Sequence, residues 1–172
     1  MPRLDPFTDL VRTLSAPGWF RRHYRSEAAF EDDIWKAVRA RCRYHWPKAR
    51  LAQLVLTSHT RNQGPEERQA WRDFLHSTPG PDVRVFGSNS RLDIVVRPSV
   101  GDSIGIEVKW LSSRGHAAKL TQGLGQALLA LCNRRYTLLL IHCGSVTHQD
   151  RQELRRIAER IRTNRMNLIV VP

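Results

Sequence analysis

Charged residues interrupt two neighbouring stretches of this sequence, 91–96 and 105–110, that otherwise have the pattern of β-strands. Side chains alternate between the two faces of a strand, so Glu107 and Lys109 are predicted to share one face. By the same alternation, Asp93 faces away from the apolar side chains at positions 92, 94 and 96. If the two strands pair as a hairpin, two carboxylates and one ammonium group meet at a single patch.

This set of charges predicts a metal site. Two carboxylates a few ångströms apart repel each other unless a cation lies between them. Carboxylate oxygens are also the ligands that hard divalent cations such as Mg²⁺ prefer. Asp93 and Glu107 are therefore predicted to hold a divalent metal ion, with Lys109 beside it.

The composition favours a single domain with a polyanionic partner. A chain of 172 residues is long enough to bury a substantial core. Its 28 Lys+Arg residues outnumber 16 Asp+Glu, which gives a formal net charge of +12. Such an excess favours nucleic acid as the partner, with an anionic membrane surface or an acidic protein as the alternatives.

Cysteine usage and hydropathy predict the compartment. Cys42, Cys132 and Cys143 are widely spaced and fit no zinc-binding pattern, as expected in a reducing cytosol. The N-terminus has no apolar signal core, and no apolar run is long enough to span a bilayer. We therefore expect a cytoplasmic protein that does not bind a membrane.

The first half of the chain has mainly helical periodicity. Residues 1–25 are predicted to form a basic N-terminal lead-in with a short helix, and residues 26–172 to form one domain. Ser26 is a suitable N-cap for the next helix, and Pro65 suits the first turn of another. The apolar stretch 51–56 fits either a helix or a strand, and we favour a helix.

The second half changes to the period of strands. Strands are predicted around Val83 and Val85, over 91–97 and over 103–111, with residues 88–90 as a turn. Helices over 117–132 and 148–162 then alternate with buried strands over 136–143 and 167–171.

These elements predict the architecture. The first three strands should form an antiparallel meander, whereas the later β-α-β crossovers favour parallel pairing. We therefore expect a three-layer α/β/α domain with a mixed central sheet and helices on both faces.

Asp93, followed on the next strand by Glu107-Val108-Lys109, resembles the active-site motif of the PD-(D/E)XK nuclease superfamily, which has the restriction-endonuclease-like fold. The order helix, three strands, helix, strand over residues 26–143 is similar to the core of that superfamily. The last helix and strand are similar to a common extension. This chain departs from the motif where Arg91-Leu92 replaces the usual proline, but the proline is not a metal ligand.

The resemblance and the residue types imply a role for each motif residue. Asp93 and Glu107 would bind Mg²⁺, or Mn²⁺ as a substitute, with the Val108 carbonyl as a third protein ligand. Lys109 would orient the attacking water or offset charge on the phosphate in the transition state.

Two further site residues are implied by the resemblance. Many relatives supply another acid from the first core helix, and Glu31 is the first choice here, with Glu27 as the alternative. Relatives also often carry a glutamine on the helix that follows the motif. Gln126 fits that position better than Gln122, which lies one turn earlier.

Basic residues near the motif are predicted to bind a phosphate backbone, and they are Arg21, Arg22, Arg25, Arg91, His116 and Lys119. His116 and Lys119 lie near the start of the helix after the motif, where the helix N-terminus favours anions. The arginines of the last helix are compatible with a solvated face and with a DNA track, and the sequence leaves both open.

The leading hypothesis is a Mg²⁺-dependent endonuclease that hydrolyses phosphodiester bonds in DNA, with RNA open as a substrate. It would act as a homodimer if both strands are cut, since one site cuts one strand. The alternative is a catalytically inactive nucleic-acid-binding module of the same fold within a larger assembly. A basic protein that binds an acidic protein partner is the third possibility.

Overall fold

The computed structural model describes residues 5–16, 18–58, 63–85, 88–98, 102–112 and 115–171. Within these residues the chain has a mixed α/β fold with six α-helices, one five-stranded sheet and one two-stranded ribbon. None of the helices in this part of the chain has both the length and the apolar character needed to cross a bilayer.

The helices are α1 (Pro6–Ser15), α2 (Glu27–Cys42), α3 (Leu51–Leu54, after a 3₁₀ turn over Lys48–Arg50), α4 (Pro65–Leu75), α5 (His116–Ala130) and α6 (His148–Ile161). The strands are β1 (Val55–Thr57), β2 (Asp82–Val85), β3 (Ser88–Arg91), β4 (Ile94–Val96), β5 (Ile104–Leu111), β6 (Tyr136–Cys143) and β7 (Met166–Val171). The predicted N-cap is confirmed, because Ser26 Oγ accepts a hydrogen bond from the Ala29 amide at 3.2 Å.

The central sheet is mixed, as predicted. Its strand order is β1-β4-β5-β6-β7. The pairs β1–β4 and β4–β5 are antiparallel, whereas β5–β6 and β6–β7 are parallel. The parallel pairs are joined by α5 and α6, which is the crossover arrangement that parallel strands require.

Strand β1 corrects part of one prediction. The sequence favours a helix over 51–56, with a strand as the alternative, but α3 ends at Leu54 and a strand begins at Val55. Val55 lies opposite Val96, and Thr57 lies opposite Ile94 on β4. All of β1 is buried, so pairing with β4 overrides the local helical pattern.

The strand predicted around Val83 exists, but it is wrong to place it in the central sheet. Residues 82–85 pair instead with residues 88–91, as the separate ribbon β2–β3, with Asp82 opposite Arg91. The turn predicted over 88–90 is therefore also wrong, because these residues form β3. β1 takes the position in the antiparallel meander that the Val83 strand was expected to occupy.

The chain bends at Asp93, between β3 and β4. The predicted strand over 91–97 is thus divided, and the part in the central sheet covers Ile94–Val96. Leu92 packs in the same apolar cluster as Val95, on the opposite face from Ile94. The prediction that Leu92 shares a face with Ile94 is wrong because strand alternation does not continue through a bend.

Alternate residues of β5 contribute to different parts of the core. Ile106 and Val108 pack in one cluster with Phe30 and Ile34 of α2. Leu111 packs in a second cluster with residues of α5, β6 and α6, which include Ala127, Leu139, Ile141 and Leu154. Helices α2 and α5 therefore both pack against β5, through different sets of its side chains.

Helix α1 is anchored to α2 by a buried carboxylate. Asp9 is 1% exposed and accepts hydrogen bonds from the Arg41 guanidinium, and its Oδ2 lies 2.6 Å from His45 Nε2. The hydrogen bonds from Arg41 hold the pKa of Asp9 below its usual value. Phe7 stacks on Tyr136 at the start of β6, with ring centroids 4.4 Å apart.

We expect Asp9→Asn to destabilise the protein by about 1–3 kcal/mol, because it leaves the partly buried Arg41 without its charged acceptor. The measurement is urea unfolding followed by circular dichroism. Asp73→Asn, the same change at an exposed position of α4, is the control and should leave the midpoint unchanged. Equal midpoints for the two variants would contradict this role of Asp9.

His142 is a fully buried titratable residue of β6. Its ring lies 4.9 Å from the ring of Tyr24 and 5.3 Å from that of Phe30, measured between centroids. Burial lowers the pKa of His142 below its ordinary value of 6.5, against the opposing hydrogen bond to the Arg22 carbonyl. The folded protein therefore favours the neutral imidazole.

This burial predicts that His142 lowers the stability of the protein in acid. Below pH 6.5 the unfolded chain binds a proton that the buried His142 binds only at lower pH, so the contribution of His142 to the free energy of unfolding falls as the pH falls, whereas the raised pKa of Glu31 contributes in the opposite direction. His142→Phe, which keeps a ring beside Tyr24, should therefore gain stability relative to the wild type in urea titrations as the pH is lowered from roughly 7 to 5. His148→Phe, at an exposed position, should keep the wild-type slope, and a wild-type slope in His142→Phe would disprove the assignment.

Candidate active site

The site lies at the start of β4, where β5 continues beyond its pairing with β4. In the described part of the chain, β4 pairs with residues 104–106 of β5, whereas β6 pairs along the whole of β5 as far as Leu111. Beyond Ile106, two backbone amides of β5 donate to side-chain carboxylates instead of to a strand. Val108 N donates to Asp93 Oδ2 at 2.7 Å, and Trp110 N donates to Glu27 Oε2 at 2.9 Å.

Glu107 and Lys109 lie on the same face of β5, as predicted, and both are buried. Their side chains form an ion pair with Lys109 Nζ 2.5 Å from Glu107 Oε1. Glu107 Oε2 is buried and has no hydrogen-bond partner among the described residues. Burial and the charge of Asp93 raise the pKa of Glu107, although Lys109 opposes them.

The pKa of Lys109 is also raised. Burial of its side chain disfavours the ammonium form, but the adjacent Glu107 carboxylate outweighs that effect. Lys109 is therefore held as a cation next to the acids, and its ammonium group is paired with Glu107.

Glu31 of α2 joins the same cluster from the other side of the sheet. It is 6% exposed, and its Oε1 accepts a hydrogen bond from Thr57 Oγ1 at 3.2 Å. Thr57 lies opposite Ile94, the residue after Asp93. Burial, together with the charge of Asp93, raises the pKa of Glu31 to about 8.

Glu27, the alternative to Glu31, also reaches the site. Its carboxylate binds the Trp110 amide and lies 3.9 Å from Lys119 Nζ, and its side chain is 40% exposed. The structure thus places both helix acids near Asp93 and Glu107, with Glu31 buried inside the cluster and Glu27 at its rim. The charge of Glu27 contributes to the raised pKa of both Glu31 and Glu107.

Helix α5 covers the aliphatic part of Lys109. A Cβ atom at position 123 would lie 2.8 Å from Lys109 Cγ and 3.1 Å from Leu139 Cδ1, so Gly123 permits this close approach. Gln126, one turn further along α5, is half-buried, and its Oε1 is buried without a hydrogen-bond partner among the described residues.

The six residues predicted to bind phosphate differ in whether they already have an acidic partner. Arg21 forms an ion pair with Asp33 at 3.0 Å, and Arg91 forms one with Asp82 at 2.7 Å, so each already has an acidic partner. The side chains of Arg22 and Arg25 are exposed.

The other two predicted residues lie at the start of α5. His116 is its first residue, with Nδ1 buried and unpaired among the described residues. Lys119 donates to the Trp110 carbonyl at 3.3 Å and lies 3.9 Å from Glu27. Lys119 therefore lies directly beside the acidic cluster.

The oxygen atoms of the acidic cluster are of the chemical type that binds a hard divalent cation. They are carboxylate oxygens, and Glu107 Oε2 is a buried acceptor without a donor among the described residues. Within the same residues, no three His, Cys, Asp or Glu side chains already stand together in a ligand arrangement. The role of the Val108 carbonyl as a ligand stays a prediction.

Thr57 and Trp110 belong to the site but are absent from the sequence-based prediction. Thr57 orients Glu31 only because β1 pairs with β4, and a three-residue strand gives too short a pattern to identify. Trp110 contributes backbone groups, which leave no signature in the sequence. The run of β-branched and apolar residues ending at Thr57 was the available signal.

Comparisons with protein-family models, curated proteins and solved structures found no match to this chain. The functional assignment therefore depends on the residues and contacts of the site.

A pair of glycine substitutions tests the packing of α5 on Lys109. Gly123→Ala and Gly125→Ala gain about the same helix propensity, up to ~1 kcal/mol. A Cβ at 125 has no atom within 4 Å, so Gly125→Ala should stabilise the protein. Gly123→Ala should be less stable than Gly125→Ala by about 1–3 kcal/mol, because its methyl group clashes with Lys109 and Leu139.

Urea unfolding of both variants measures this difference directly. Equal stabilisation by the two alanines would show that Gly123 is not required for the approach of α5 to Lys109.

Proposed function

We propose that this protein is a Mg²⁺-dependent endonuclease of the PD-(D/E)XK type, which hydrolyses phosphodiester bonds in DNA. The observation that carries the proposal is the acidic cluster at the start of β4, where Asp93 binds the backbone of β5 beside the Glu107–Lys109 ion pair. Glu31, Glu107 and Lys109 are all buried there, which is costly for folding alone, and such clusters of perturbed groups are typical of active sites.

The arrangement of elements supports the same superfamily. Strands β1, β4 and β5 form an antiparallel meander, β6 adds in parallel, and α2 and α5 pack on β5 through different side chains. We propose that this is the three-layer, restriction-endonuclease-like core, with α6 and β7 as its extension.

Asp93 and Glu107 would hold the metal ion, and Glu31 and Glu27 would add negative charge around it. When bound, the metal lowers the pKa of a coordinated water and offsets charge on the phosphate. Repulsion among these carboxylates raises the pKa of Glu31 and Glu107, and a cation among them would remove that repulsion.

Lys109 would act on the phosphate or on the attacking water. Its ammonium is fixed by Glu107 and by the contact of its stem with α5, so little reorganisation is needed when charge develops in the transition state. Gln126, with an unpaired buried oxygen on the same helix, is placed one turn from Gly123 and would orient Lys109 or a water molecule.

Asp93→Asn and Lys109→Met test these roles without large changes in volume. Each should slow the Mg²⁺-dependent cleavage of supercoiled plasmid by about 10²-fold or more, because Asp93→Asn removes a charged ligand of the metal ion and Lys109→Met removes the cation that offsets charge in the transition state. Asp73→Asn, at an exposed position of α4, is the matched control and should cleave like the wild type. Thermal unfolding of all variants shows whether the fold is retained.

Cleavage that persists in EDTA, or that survives Asp93→Asn, would rule out the proposal. Calorimetry with Mg²⁺ and Mn²⁺ separates it from the alternative of an inactive module. DNA binding with neither metal binding nor cleavage would favour that module, and preferential cleavage of RNA would change the substrate but not the site.

A further inference from the structure

The carboxyl ends of β5 and β6 lie side by side next to the acidic cluster. Trp110 lies opposite His142, and Leu111 lies opposite Cys143. Adjacent strands are separated by about 4.8 Å, so groups that contact the end of β6 are only one strand away from those that contact β5. Two segments of the chain carry arginines to this end of the sheet.

The first segment leads into α2 and crosses both strand ends. The Arg22 carbonyl lies 3.3 Å from His142 Nε2 on β6, and Glu27 binds the Trp110 amide on β5. Arg22 and Arg25 therefore belong to a short connection that is attached to the sheet at each end. Both side chains are exposed.

The second segment is the amino-terminal half of α6. Arg151 Nη2 donates to the Cys143 carbonyl at the end of β6, at 3.0 Å. Arg155 follows one helical turn later and is exposed. The charges of Arg151 and Arg155 both act on Cys143, where they partly oppose the rise in its pKa that burial causes.

These four arginines, Arg22, Arg25, Arg151 and Arg155, form what we call the arginine collar. None of them makes an ion pair within the described residues. Four other arginines, Arg21, Arg41, Arg91 and Arg135, are neutralised locally by contact with an aspartate. The collar places four uncompensated positive charges at the end of the sheet that holds the acidic cluster, beside Lys119.

An acidic active site creates a difficulty for a polyanionic substrate. When they are ionised, the carboxylates of Asp93, Glu107, Glu31 and Glu27 repel phosphate, and that repulsion has to be offset by cations close by. The collar is connected to the cluster through Trp110 and Glu27, and it adds its charge to that of Lys109 and Lys119.

We infer that the arginine collar binds the DNA backbone, so that the duplex crosses the carboxyl ends of β5 and β6 between the start of α2 and the amino-terminal half of α6. This inference rests on the proposed nuclease function. It assigns the two amino-terminal arginines of α6 to the DNA track, and it leaves the carboxyl-terminal ones on a solvated face.

Guanidinium groups suit this role because they can form two parallel hydrogen bonds to one phosphate.

The opposite end of the sheet offers a matched comparison. Arg12, on α1, lines a groove with Glu159 and Arg162 near the end of α6, and Arg160 is an exposed residue of the same last turn.

The experiment compares Arg25→Gln/Arg155→Gln with Arg12→Gln/Arg160→Gln. Each double variant removes two exposed positive charges, from two elements in each case. The affinity for a fluorescein-labelled DNA duplex is measured by anisotropy in EDTA, at several KCl concentrations, so that cleavage does not interfere. Circular dichroism melts show that both variants are folded.

The collar variant should bind DNA about tenfold or more weakly, with a salt slope reduced by about one to two, because it loses two phosphate contacts. The Arg12→Gln/Arg160→Gln variant should stay within about twofold of the wild type. Equal losses in the two variants, or no loss in either, would overturn the inference.

Plasmid cleavage by the wild type is followed in parallel, so that failure of the two proposals can be told apart. Collar-dependent binding without Mg²⁺-dependent cleavage would reject the nuclease and retain the collar as a DNA-binding surface. Cleavage with equal effects of the two double variants would retain the nuclease and reject the collar. A wild-type protein that does not bind the duplex at low salt would reject both.

Discussion

Strand β4 is shorter than β5, so some backbone amides of β5 have no partner on β4. The carboxylates that bind these amides form part of the site. A buried N–H group needs an acceptor. Here Asp93 supplies one for Val108, and Glu27 supplies one for Trp110. The same hydrogen bonds hold the carboxylates of Asp93 and Glu27 beside Glu107. The contacts that satisfy the free backbone amides of β5 are therefore also the contacts that assemble the acidic cluster.

This arrangement concentrates negative charge in a protein whose formal net charge is +12. The contrast is local, because the four arginines of the collar flank the ends of β5 and β6 and make no ion pair within the described residues. The two signs of charge therefore lie next to each other at one end of the sheet. Such a distribution is compatible with the polyanionic substrate that we propose.

Long periodic elements were predictable from the sequence, and short ones were not. The bounds predicted for β6 agree with the structure, because eight consecutive strand residues give a clear signal. β1 has three residues, and its pairing with β4 depends on contacts distant in the sequence. The shared face of Glu107 and Lys109 followed from alternation alone, whereas Thr57 joined Glu31 only through the pairing of β1.

Gly123 has a consequence for how this sequence can vary during evolution. Its lack of a side chain is required while Lys109 and Leu139 occupy the space beneath α5, and Lys109 makes the closest of these contacts. A lineage that replaced the lysine with a small residue would also relax the requirement for glycine at position 123. The two positions should therefore vary together, and glycine at 123 would mark the descendants that still keep the lysine.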